Sequence, residues 1–539
     1  MMKFENEFTY RKFLEQGQED KFDRLFESAV AKVRNGLGKR FPMYLNGKEH
    51  FAREEIIERS PIDGTHIGNF QKGTADDATS AIDAARSAFE VWSTTDYKKR
   101  VFIFRKAAEL LSQRKFEMAA ILSIENGKTR YESIGEVDEA IDFMNYYSSE
   151  LERNRGYIHK NKILGTTKKV ESGFQGAPGS SEAITIKMRP YGVFAVIAPF
   201  NFPVSISAGM SIGAMITGNT VVFKPSSTDN MSMLTGLMLY QLFKDAGVPD
   251  GVFNYVTGPG STIGAELSSN KKVSGVVFTG SRETGLGMIA KNYSEKKQKV
   301  FVVEMGGKNP VIVSKFADLD AAANGASSAA FGFSGQKCSA ASRLYVQESI
   351  KEEFISKLIE RTRAMKIGDP LNKENFIGPL ISAKALAKYI EVVEEIKRSC
   401  TLIYGGKVVR NDDHAYYVEP VIAEADDSNV LMKLELFLPI LLIDTYKKLD
   451  EALIKANNTE YGLTAGFYSR KGPEIRQFLN AIEAGVVYVN RNESATTGAI
   501  VGHHTFVGWK GSGLTGKGTG SRYYLQEFMR EQSQSLTRQ

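Results

Sequence analysis

The stretch YGVFAVIAPFNFPVSISAGMSIGAMITGNTVVFK, residues 191–224, decides the fold class of this chain. Up to Phe223 it carries no charged residue, yet Pro199 and Pro203 interrupt it early and Gly218 interrupts it late. A membrane-spanning helix needs about 20 unbroken apolar residues. The pattern therefore predicts a buried strand, a loop, a helix and a second strand.

The same alternation continues to residue 315. Apolar runs at 192–197, 220–223, 251–256, 275–278, 300–303 and 311–313 are separated by helical patterns at 233–246, 261–268 and 284–294. This order predicts an α/β fold whose parallel sheet can bind a nucleotide. A second alternating stretch follows at 318–490, and the length predicts two or three domains of roughly 100–200 residues each.

The flanking regions have a different character. Residues 76–125 and 136–151 show amphipathic helical spacing. Residues 159–185 are rich in Lys and then in Gly, Pro and Ser, which predicts an extended arm or hairpin outside a core. A disordered loop is the alternative interpretation of this segment.

The composition excludes several classes of protein. The chain has 539 residues with 69 Lys plus Arg, 63 Asp plus Glu and a net charge of +6, and 42% of its residues are hydrophobic. A mostly disordered, collagenous or coiled-coil protein does not have these values. The cationic residues are scattered, whereas nucleic-acid binding usually needs a concentrated basic face. The sequence therefore predicts no nucleic-acid partner and no membrane partner.

The cysteine and histidine residues bear on the cellular compartment of the protein and on whether it binds a metal. Two cysteines, Cys338 and Cys400, cannot form a disulfide framework, and residues 1–20 lack the apolar core of a signal peptide. We therefore expect a cytoplasmic protein. The six histidines show no ligand spacing, so we expect no metal site.

Cys338, in GQKCSAASR, is the candidate nucleophile. A lone cysteine is usually an inert small hydrophobic residue, and Cys400 keeps that interpretation. Around Cys338, however, Gln336, Lys337 and Ser339 make an unusual context for a core residue. A nearby lysine or helix N-terminus lowers the pKa of a thiol, and we expect such an effect here.

Two upstream residues supply the other groups that a thiolate nucleophile needs. Asn201, in APFNFP, follows a buried apolar run, where its amide can stabilise an oxyanion; a turn-forming Asn beside proline is the alternative. Glu304 ends an apolar run in VFVVEMGGKNP, a good position for a general base. A carboxylate at the rim, paired with Lys308, is the alternative.

Each of the candidate nucleotide-binding motifs is a weak indication when it is taken alone. Gly280 and Gly285, in VVFTGSRETG, resemble a phosphate-binding turn between a strand and a helix, and Lys224 can reach a ribose or phosphate. The tail GSGLTGKG at 511–518 nearly matches a phosphate-binding loop of the Walker A type. Its last residue, however, is Gly518 where that loop has Ser or Thr, and no apolar strand precedes it. We interpret that tail as a chance match.

Taken together, these motifs resemble the aldehyde dehydrogenase superfamily, in its order and roughly its spacing. They are Pro199-Phe200-Asn201-Phe202-Pro203, Phe223-Lys224-Pro225-Ser226, Phe278-Thr279-Gly280-Ser281, Glu304-Met305-Gly306-Gly307-Lys308 and Gly335-Gln336-Lys337-Cys338. Within the superfamily, the chain is most similar to the 1-pyrroline-5-carboxylate dehydrogenase subfamily. Three stretches carry this likeness: residues 139–147, 337–343 and 497–502.

The resemblance implies a fold, a reaction and a set of roles. The fold is a Rossmann-type dinucleotide-binding domain (1–154 and 189–304), an α/β catalytic domain (305–507), and an oligomerisation arm and tail (155–188 and 508–539). Cys338 attacks the aldehyde, Asn201 holds the oxyanion, and Glu304 activates the water that hydrolyses the thioester. The residues implied for the cofactor, which is NAD with NADP tolerated alongside it, are Pro199, Lys224, Ser226, Ser227, Gly280, Ser281, Gly285, Glu435 and Phe437. Those implied for the substrate are Ser339, Gly498, Ala499, Phe202, Phe506 and Glu139.

Three departures from the family pattern carry expectations of their own. Leu438 replaces a usual Gly after Phe437, which requires a local change of backbone or packing. Val507 also replaces a usual Gly. Ser227 stands where NAD-strict relatives often have Glu, so the repulsion of a 2′-phosphate is removed and we expect NADP to be used.

The implied activity is NAD(P)-dependent oxidation of L-glutamate γ-semialdehyde to L-glutamate in proline catabolism, by a homo-oligomer. Three alternatives remain: oxidation of another aldehyde such as succinate semialdehyde, coenzyme A acylation, and a non-catalytic nucleotide-binding scaffold. The presence of Cys338, Glu304 and Asn201 together argues against a scaffold.

Overall fold

The computed structural model describes residues 4–164, 181–412, 414–492 and 500–538. Within these residues, two seven-stranded sheets and their helices form the bulk of the molecule, which confirms the predicted α/β class. Gly498 and Ala499 lie outside the described residues. Among the described residues, no helix is long and apolar enough to cross a membrane.

The first elements are mainly helical. They are α1 (Thr9–Glu15), α2 (Glu19–Arg34), β1 (Lys39–Arg40), β2 (Met43–Leu45), β3 (Lys48–His50), β4 (Glu55–Arg59), β5 (His66–Gln71), α3 (Ala75–Trp92), α4 (Tyr97–Gln113), α5 (Lys115–Asn126) and α6 (Arg130–Arg153). Thr74 and Asp77 form a capping box at the start of α3, and the Thr129 hydroxyl caps α6. Glu139 lies on the long helix α6.

The next elements alternate as the sequence predicts. They are β6 (Ile158–Leu164), β7 (Ser181–Pro190), β8 (Val193–Ile197), α7 (Ser205–Ile216), β9 (Thr220–Lys224), β10 (Ser227–Thr228), β11 (Asn230–Met231), α8 (Met233–Ala246), β12 (Phe253–Tyr255), α9 (Ala265–Ser269), β13 (Val273–Thr279), α10 (Arg282–Ser294) and β14 (Val300–Glu304).

The first large sheet has the strand order β14-β13-β8-β9-β12-β2-β3 and is parallel from β14 to β12. Its side chains alternate between two cores: Phe194 and Val196 pack with the helices α4–α8, while Val193 and Ala195 pack with α3. In the strand register, the partner of Glu304 is Thr279, which ends β13. The carboxyl ends of these strands therefore share one edge, where open α/β sheets bind ligands.

The remaining elements build the second sheet and the tail. They are β15 (Asn309–Val313), α11 (Leu319–Phe331), β16 (Ala341–Gln347), α12 (Lys351–Ala364), α13 (Ala383–Ser399), β17 (Thr401–Tyr404), β18 (Val408–Asp412), β19 (Ala415–Val418), β20 (Val421–Glu424), β21 (Ile440–Tyr446), α14 (Leu449–Asn457), β22 (Tyr461–Gly462), β23 (Thr464–Tyr468), α15 (Gly472–Ala481), β24 (Val486–Val489), β25 (Trp509–Lys510) and β26 (Met529–Arg538).

The second large sheet has the order β17-β20-β21-β16-β15-β23-β24, with β17 antiparallel and the others parallel. Apolar cores cover both of its faces. A third sheet joins β6, β7 and β26, and β26 pairs with β7 along its whole length. Its strands fall largely in the segments predicted as arm and tail, while the predicted domain boundaries stay a prediction.

Candidate active site

The three predicted catalytic residues come together from elements of both large sheets. Asn201 follows β8, Glu304 ends β14, and Cys338 lies in the loop between α11 and β16. The Asn201 side-chain amide donates a 3.1 Å hydrogen bond to the carbonyl of Gln336, two residues before Cys338. A turn that satisfies Asn201 locally, the alternative interpretation, does not account for this contact.

The loop that bears Cys338 is held by its carbonyl groups. Asn309 Nδ2 donates to Cys338 O at 2.8 Å and to Ala340 O at 2.9 Å. The backbone N–H of Thr464 donates to Asn309 Oδ1 at 2.9 Å, which fixes the orientation of the amide. Asn309 thus links three segments of the second sheet around Cys338.

The turn Gly306-Gly307 brings the two sheets together by close approach. A Cβ on Gly307 would lie 2.4 Å from Cys338 O, and one on Gly306 would lie 2.0 Å from Glu435 Oε2. Neither position has room for a side chain. The two glycines that follow Glu304 in the sequence are therefore required by the Cys338 loop and by the Glu435 carboxylate.

Burial controls the electrostatics of Cys338. Burial raises the pKa of its thiol, and the carboxylates of Glu435 and Glu304 raise it further, while the backbone N–H groups of Cys338 and Ser339 lower it. The expected lowering by Lys337 is not found, because Lys337 Nζ pairs with Glu132 Oε1 at 2.8 Å. The thiol form is favoured in this state.

Glu304 is an unpaired carboxyl group in a buried position. Burial raises its pKa well above the ordinary value, and the backbone N–H of Gly508 lowers it by a smaller amount. Within the described part of the chain, neither Glu304 Oε2 nor Lys308 Nζ has a hydrogen-bond partner. The alternative of a rim carboxylate paired with Lys308 is therefore not what the structure shows.

Glu435 lies near Cys338, and Phe437 lies near Phe200. The backbone N–H of Gly307 donates to Glu435 Oε1 at 2.8 Å, and burial raises the pKa of this carboxyl to about 7. Phe437 has φ of 61°, and its ring lies 5.9 Å from that of Phe200. The segment predicted to meet the nicotinamide ribose is thus next to the segment that carries Asn201.

The predicted adenosine and phosphate residues lie along the same strand ends. Lys224 Nζ and Ser227 Oγ both donate to Pro225 O, at 3.1 and 2.9 Å, and burial lowers the pKa of Lys224 to about 8. Ser226 connects them, and its carbonyl accepts the N–H of Ser232. Pro199 stands half-buried just beyond β8.

Ser281 caps α10 through its hydroxyl, which accepts from the N–H of Thr284 at 3.3 Å. Gly280 lies between β13 and this cap, and Gly285 is buried in the second turn of α10. A helix N-terminus at this edge suits a pyrophosphate, because its free N–H groups and dipole favour negative charge. These residues fit a dinucleotide.

The predicted substrate residues are brought together in part. Lys128 Nζ lies 3.7 Å from the centre of the Phe202 ring, and Ser339 is buried beside Cys338. Phe506 is half-buried and its N–H donates to Thr519 O. Burial and the neighbouring Glu136 raise the pKa of Glu139 to about 7.

Sequence reasoning missed the residues that support this site. Glu136 pairs with Lys128 and accepts the N–H groups of Val204 and Ser205 at the start of α7. Asn309, a polar residue at the start of a buried strand, was the available signal for the loop contact. Among the described residues, no group of three or more His, Cys, Asp and Glu is arranged to hold a metal.

Comparison with known proteins decides the family. The model of the aldehyde dehydrogenase family matches residues 49–533. This chain belongs to the aldehyde dehydrogenase family. It is 36% identical over 507 residues to 1-pyrroline-5-carboxylate dehydrogenase 1 of Halalkalibacterium halodurans, covering 93% of this chain and 94% of that relative.

Solved structures agree with this assignment. A Thermus 1-pyrroline-5-carboxylate dehydrogenase with bound NAD superimposes with a TM-score of 0.89 at 32% identity, covering 99% of each chain. An E. coli structure described as an NADP dependent enzyme gives a TM-score of 0.82 at 31% identity, covering 92% of this chain and 98% of that one. The resemblance seen in the motifs is confirmed.

The close approach at Gly307 yields a first prediction. Gly307→Ala places a Cβ against the Cys338 carbonyl and displaces the nucleophile, so we expect kcat to fall about 100-fold. Gly472→Ala, at the start of α15, is the matched control, because its Cβ meets only the flexible end of Arg476 at 3.4 Å. Steady-state rates measure the effect, with thermal unfolding to check folding. Equal rates for the two variants would contradict the prediction.

The raised pKa of the thiol yields a second prediction. In a Cys400→Ala background, alkylation of Cys338 by iodoacetamide accelerates about tenfold per pH unit between about pH 7 and pH 9, since only the thiolate reacts. Glu435→Gln increases the rate at the upper end, because it removes a negative charge that opposes the thiolate. An alkylation rate that stays constant over this pH range would mean that the thiolate is already formed at pH 7. That result would contradict the prediction.

Proposed function

We propose that this aldehyde dehydrogenase oxidises L-glutamate γ-semialdehyde, formed from 1-pyrroline-5-carboxylate, to L-glutamate in proline catabolism. The observation that carries the chemistry is the hydrogen bond from Asn201 to the Cys338 loop, which joins an amide donor to the loop of a half-buried thiol that has the Glu304 carboxyl as a charged neighbour. The relatives named 1-pyrroline-5-carboxylate dehydrogenase, matched over nearly the whole chain, support the substrate.

This geometry supports the following roles for the side chains. Cys338 Sγ, once deprotonated, attacks the aldehyde carbon and forms a thiohemiacetal whose oxygen is stabilised by Asn201 Nδ2 and the backbone N–H of Cys338. Loss of hydride from that carbon leaves a thioester on Sγ. Glu304 removes a proton from water, and the resulting hydroxide attacks the thioester. This step releases the carboxylic acid and regenerates the Cys338 thiolate.

The residues present fit a dinucleotide that accepts the hydride when it is bound. Lys224, Ser226 and Ser227 would hold the adenosine ribose, and Ser281 would hold the pyrophosphate with Gly280 and Gly285. Glu435 would bind the nicotinamide ribose, with Phe437 alongside it and Pro199 at the strand end. NAD supplies oxidising capacity that no side chain of the chain can supply.

The substrate would lie between aromatic rings. Phe202 and Phe506 would contact its aliphatic chain, while Ser339, Gly498 and Ala499 would bind its α-carboxylate. Glu139, on α6, would lie near the substrate entrance. Burial raises the pKa of the Cys338 thiol above its ordinary value, so deprotonation of this thiol belongs to the reaction cycle.

Assembly is the last part of the proposal. The sheet of β6, β7 and β26 leaves the outer edges of β6 and β26 without partner strands among the described residues. Such edges favour pairing with another chain, so we propose a homo-oligomer formed through this sheet. The two free cysteines favour a reducing compartment, the cytoplasm.

Substrate preference tests the function. With NAD, the purified protein should form reduced nicotinamide faster from 1-pyrroline-5-carboxylate than from propanal or succinate semialdehyde, and Cys338→Ala should be inactive because the nucleophile is removed. Turnover is followed by nicotinamide absorbance, and the product is identified as free acid.

Preference for succinate semialdehyde would assign the alternative substrate, and a thioester product would assign coenzyme A acylation. Absence of turnover with every aldehyde and both cofactors would leave the non-catalytic scaffold. Each of these outcomes contradicts the proposed reaction.

Cofactor choice gives a further prediction from Ser227. Wild-type enzyme should turn over with NADP as well as NAD, because a small buried hydroxyl at this position does not repel a 2′-phosphate. Ser227→Glu should lower kcat/KM for NADP by about tenfold or more and leave NAD within about threefold, as expected for a like charge near the phosphate. Wild-type enzyme without detectable NADP turnover would refute this interpretation.

A further inference from the structure

The segment GSGLTGKG at 511–518, which nearly matches a phosphate-binding loop, contacts the chain around Glu304. Its lysine, Lys517, pairs with Glu527 Oε1 at 2.7 Å. A phosphate-binding loop leads directly into a helix, whereas residues 519–523, which follow this segment, are not helical. The first residues of the segment, together with those just before them, form what we call the tail loop, residues 508–513.

The tail loop is bonded to the chain at Glu304 and directly after it. Gly513 pairs with Glu304 in an antiparallel bridge, and the N–H of Met305 donates to Ser512 O at 2.8 Å. The N–H of Gly508 donates to the Glu304 carboxyl. The loop therefore holds both the backbone and the side chain of the proposed base.

The Ser512 hydroxyl connects the tail loop to the turn between the two large sheets. Its Oγ donates to Gly306 O at 2.7 Å and accepts the N–H of Gly462 at 3.1 Å. Gly462 lies in β22, which pairs with β25, so one hydroxyl joins three stretches of chain. Ser512 is fully buried, so removal of the hydroxyl leaves two buried backbone groups without this partner.

Two close approaches fix the shape of the tail loop. A Cβ on Gly508 would lie 2.3 Å from Ser512 O, and a Cβ on Gly513 would lie 2.6 Å from Gly508 O. The two ends of the loop are therefore in backbone contact. Because Ser512 O touches Gly508, a displacement of Ser512 also displaces the N–H that donates to the Glu304 carboxyl.

We propose that Ser512 is a positioning residue for Glu304, and that the tail loop sets the place of this carboxyl for the step in which water is activated. The hydroxyl fixes Gly306 O, two residues after Glu304, while the loop backbone holds the base itself. The other end of the turn has its own support, because Asn309 Nδ2 donates to Cys338 O at 2.8 Å. Loss of the hydroxyl therefore loosens the base more than the nucleophile. The inference rests on the proposed roles of Cys338 and Glu304.

The test compares Ser512→Ala with Ser60→Ala, a matched control. Ser60 is 1% exposed, and its Oγ donates to Ile124 O at 2.6 Å and accepts the N–H of Ile62 at 3.2 Å. The control therefore loses the same two kinds of hydrogen bond from a buried serine. In the part of the chain that the structure describes, no hydrogen bond joins Ser60 to the three catalytic residues.

The measurement follows the acylated enzyme directly. Each variant is mixed with NAD and either 1-pyrroline-5-carboxylate or propanal, stopped in acid at successive times, and analysed by mass spectrometry for a bound acyl group. In Ser512→Ala, formation of the thioester should stay within about twofold of wild type, whereas its hydrolysis should slow about tenfold, the scale of one buried hydrogen bond left unmade. Acylated enzyme should accumulate, as it should in Glu304→Gln, where the base is absent. Ser60→Ala should match wild type in both steps.

A second variant disturbs the same loop and keeps the hydroxyl. Gly508→Ala presses a Cβ against Ser512 O, so it should displace the loop and also accumulate acylated enzyme. Thermal unfolding shows whether each variant is folded. If Ser512→Ala does not fold, Gly508→Ala decides the question with the same two rates.

The outcomes separate this inference from the proposed function. Wild-type hydrolysis of the thioester in both loop variants, alongside accumulation in Glu304→Gln, overturns the role of Ser512 and leaves the proposed function intact. Equal losses in formation and hydrolysis of the thioester assign Ser512 to the general stability of the site, which also overturns the inference. A wild-type enzyme that oxidises no aldehyde, or a Glu304→Gln variant that hydrolyses the thioester at the wild-type rate, contradicts the proposed function, and the positioning role falls with it.

Discussion

The structure depends on one short crossing between two sheets, from Glu304 at the end of β14 to Asn309 at the start of β15. In four intervening residues the chain must leave one sheet and enter the next. On the way it hydrogen-bonds Glu435 through Gly307 N–H and holds Cys338 O through the Asn309 amide. Glu304, Glu435 and Cys338, the proposed base, ribose-binding carboxylate and nucleophile, are thus tied to the same few backbone atoms. A shift of this crossing moves all three together.

The second constraint is the burial of charged side chains, both positive and negative. Lys128 and Glu136 are 1% and 2% exposed and form an ion pair below the Phe202 ring. Breaking a buried pair by removing one partner typically costs about 3–5 kcal/mol, because the other charge is left uncompensated. Glu136 also accepts the N–H groups at the start of α7, directly after the loop that carries Asn201. This ion pair therefore supports the segment that carries Asn201, the proposed oxyanion donor.

Much of the fold follows from apolar periodicity. The helix predicted at 233–246 has the bounds of α8, and each predicted apolar run from 192 to 313 overlaps a strand of one of the two sheets. Helix α10 begins at Arg282, two residues before the predicted start, because the Ser281 hydroxyl caps it. Such caps are local and can be recognised in sequence.

The supporting contacts of the site could not be predicted in the same way. The Asn309 amide meets residues 338 and 464, and the Ser512 hydroxyl meets residue 306. Contacts between residues so far apart in the chain leave no periodic pattern in the sequence. The motifs predicted which groups could do chemistry, while the tertiary structure determines what holds those groups. The raised pKa of Cys338 illustrates the difference, since Lys337 is its neighbour in sequence but pairs with Glu132 in space.

Leu438 shows how a departure from the family pattern is absorbed. The side chain is 4% exposed and packs in the second-sheet core with Leu436 and Ile440, so the added volume fills the interior. The left-handed backbone conformation of this turn falls on Phe437, at φ of 61°, and not on Leu438. Because Leu438 needs no glycine-like conformation, the turn keeps its path and Glu435 still accepts from Gly307 N–H at 2.8 Å. The expected change is one of packing, and Glu435, the residue proposed to bind the nicotinamide ribose, keeps its hydrogen bond to Gly307.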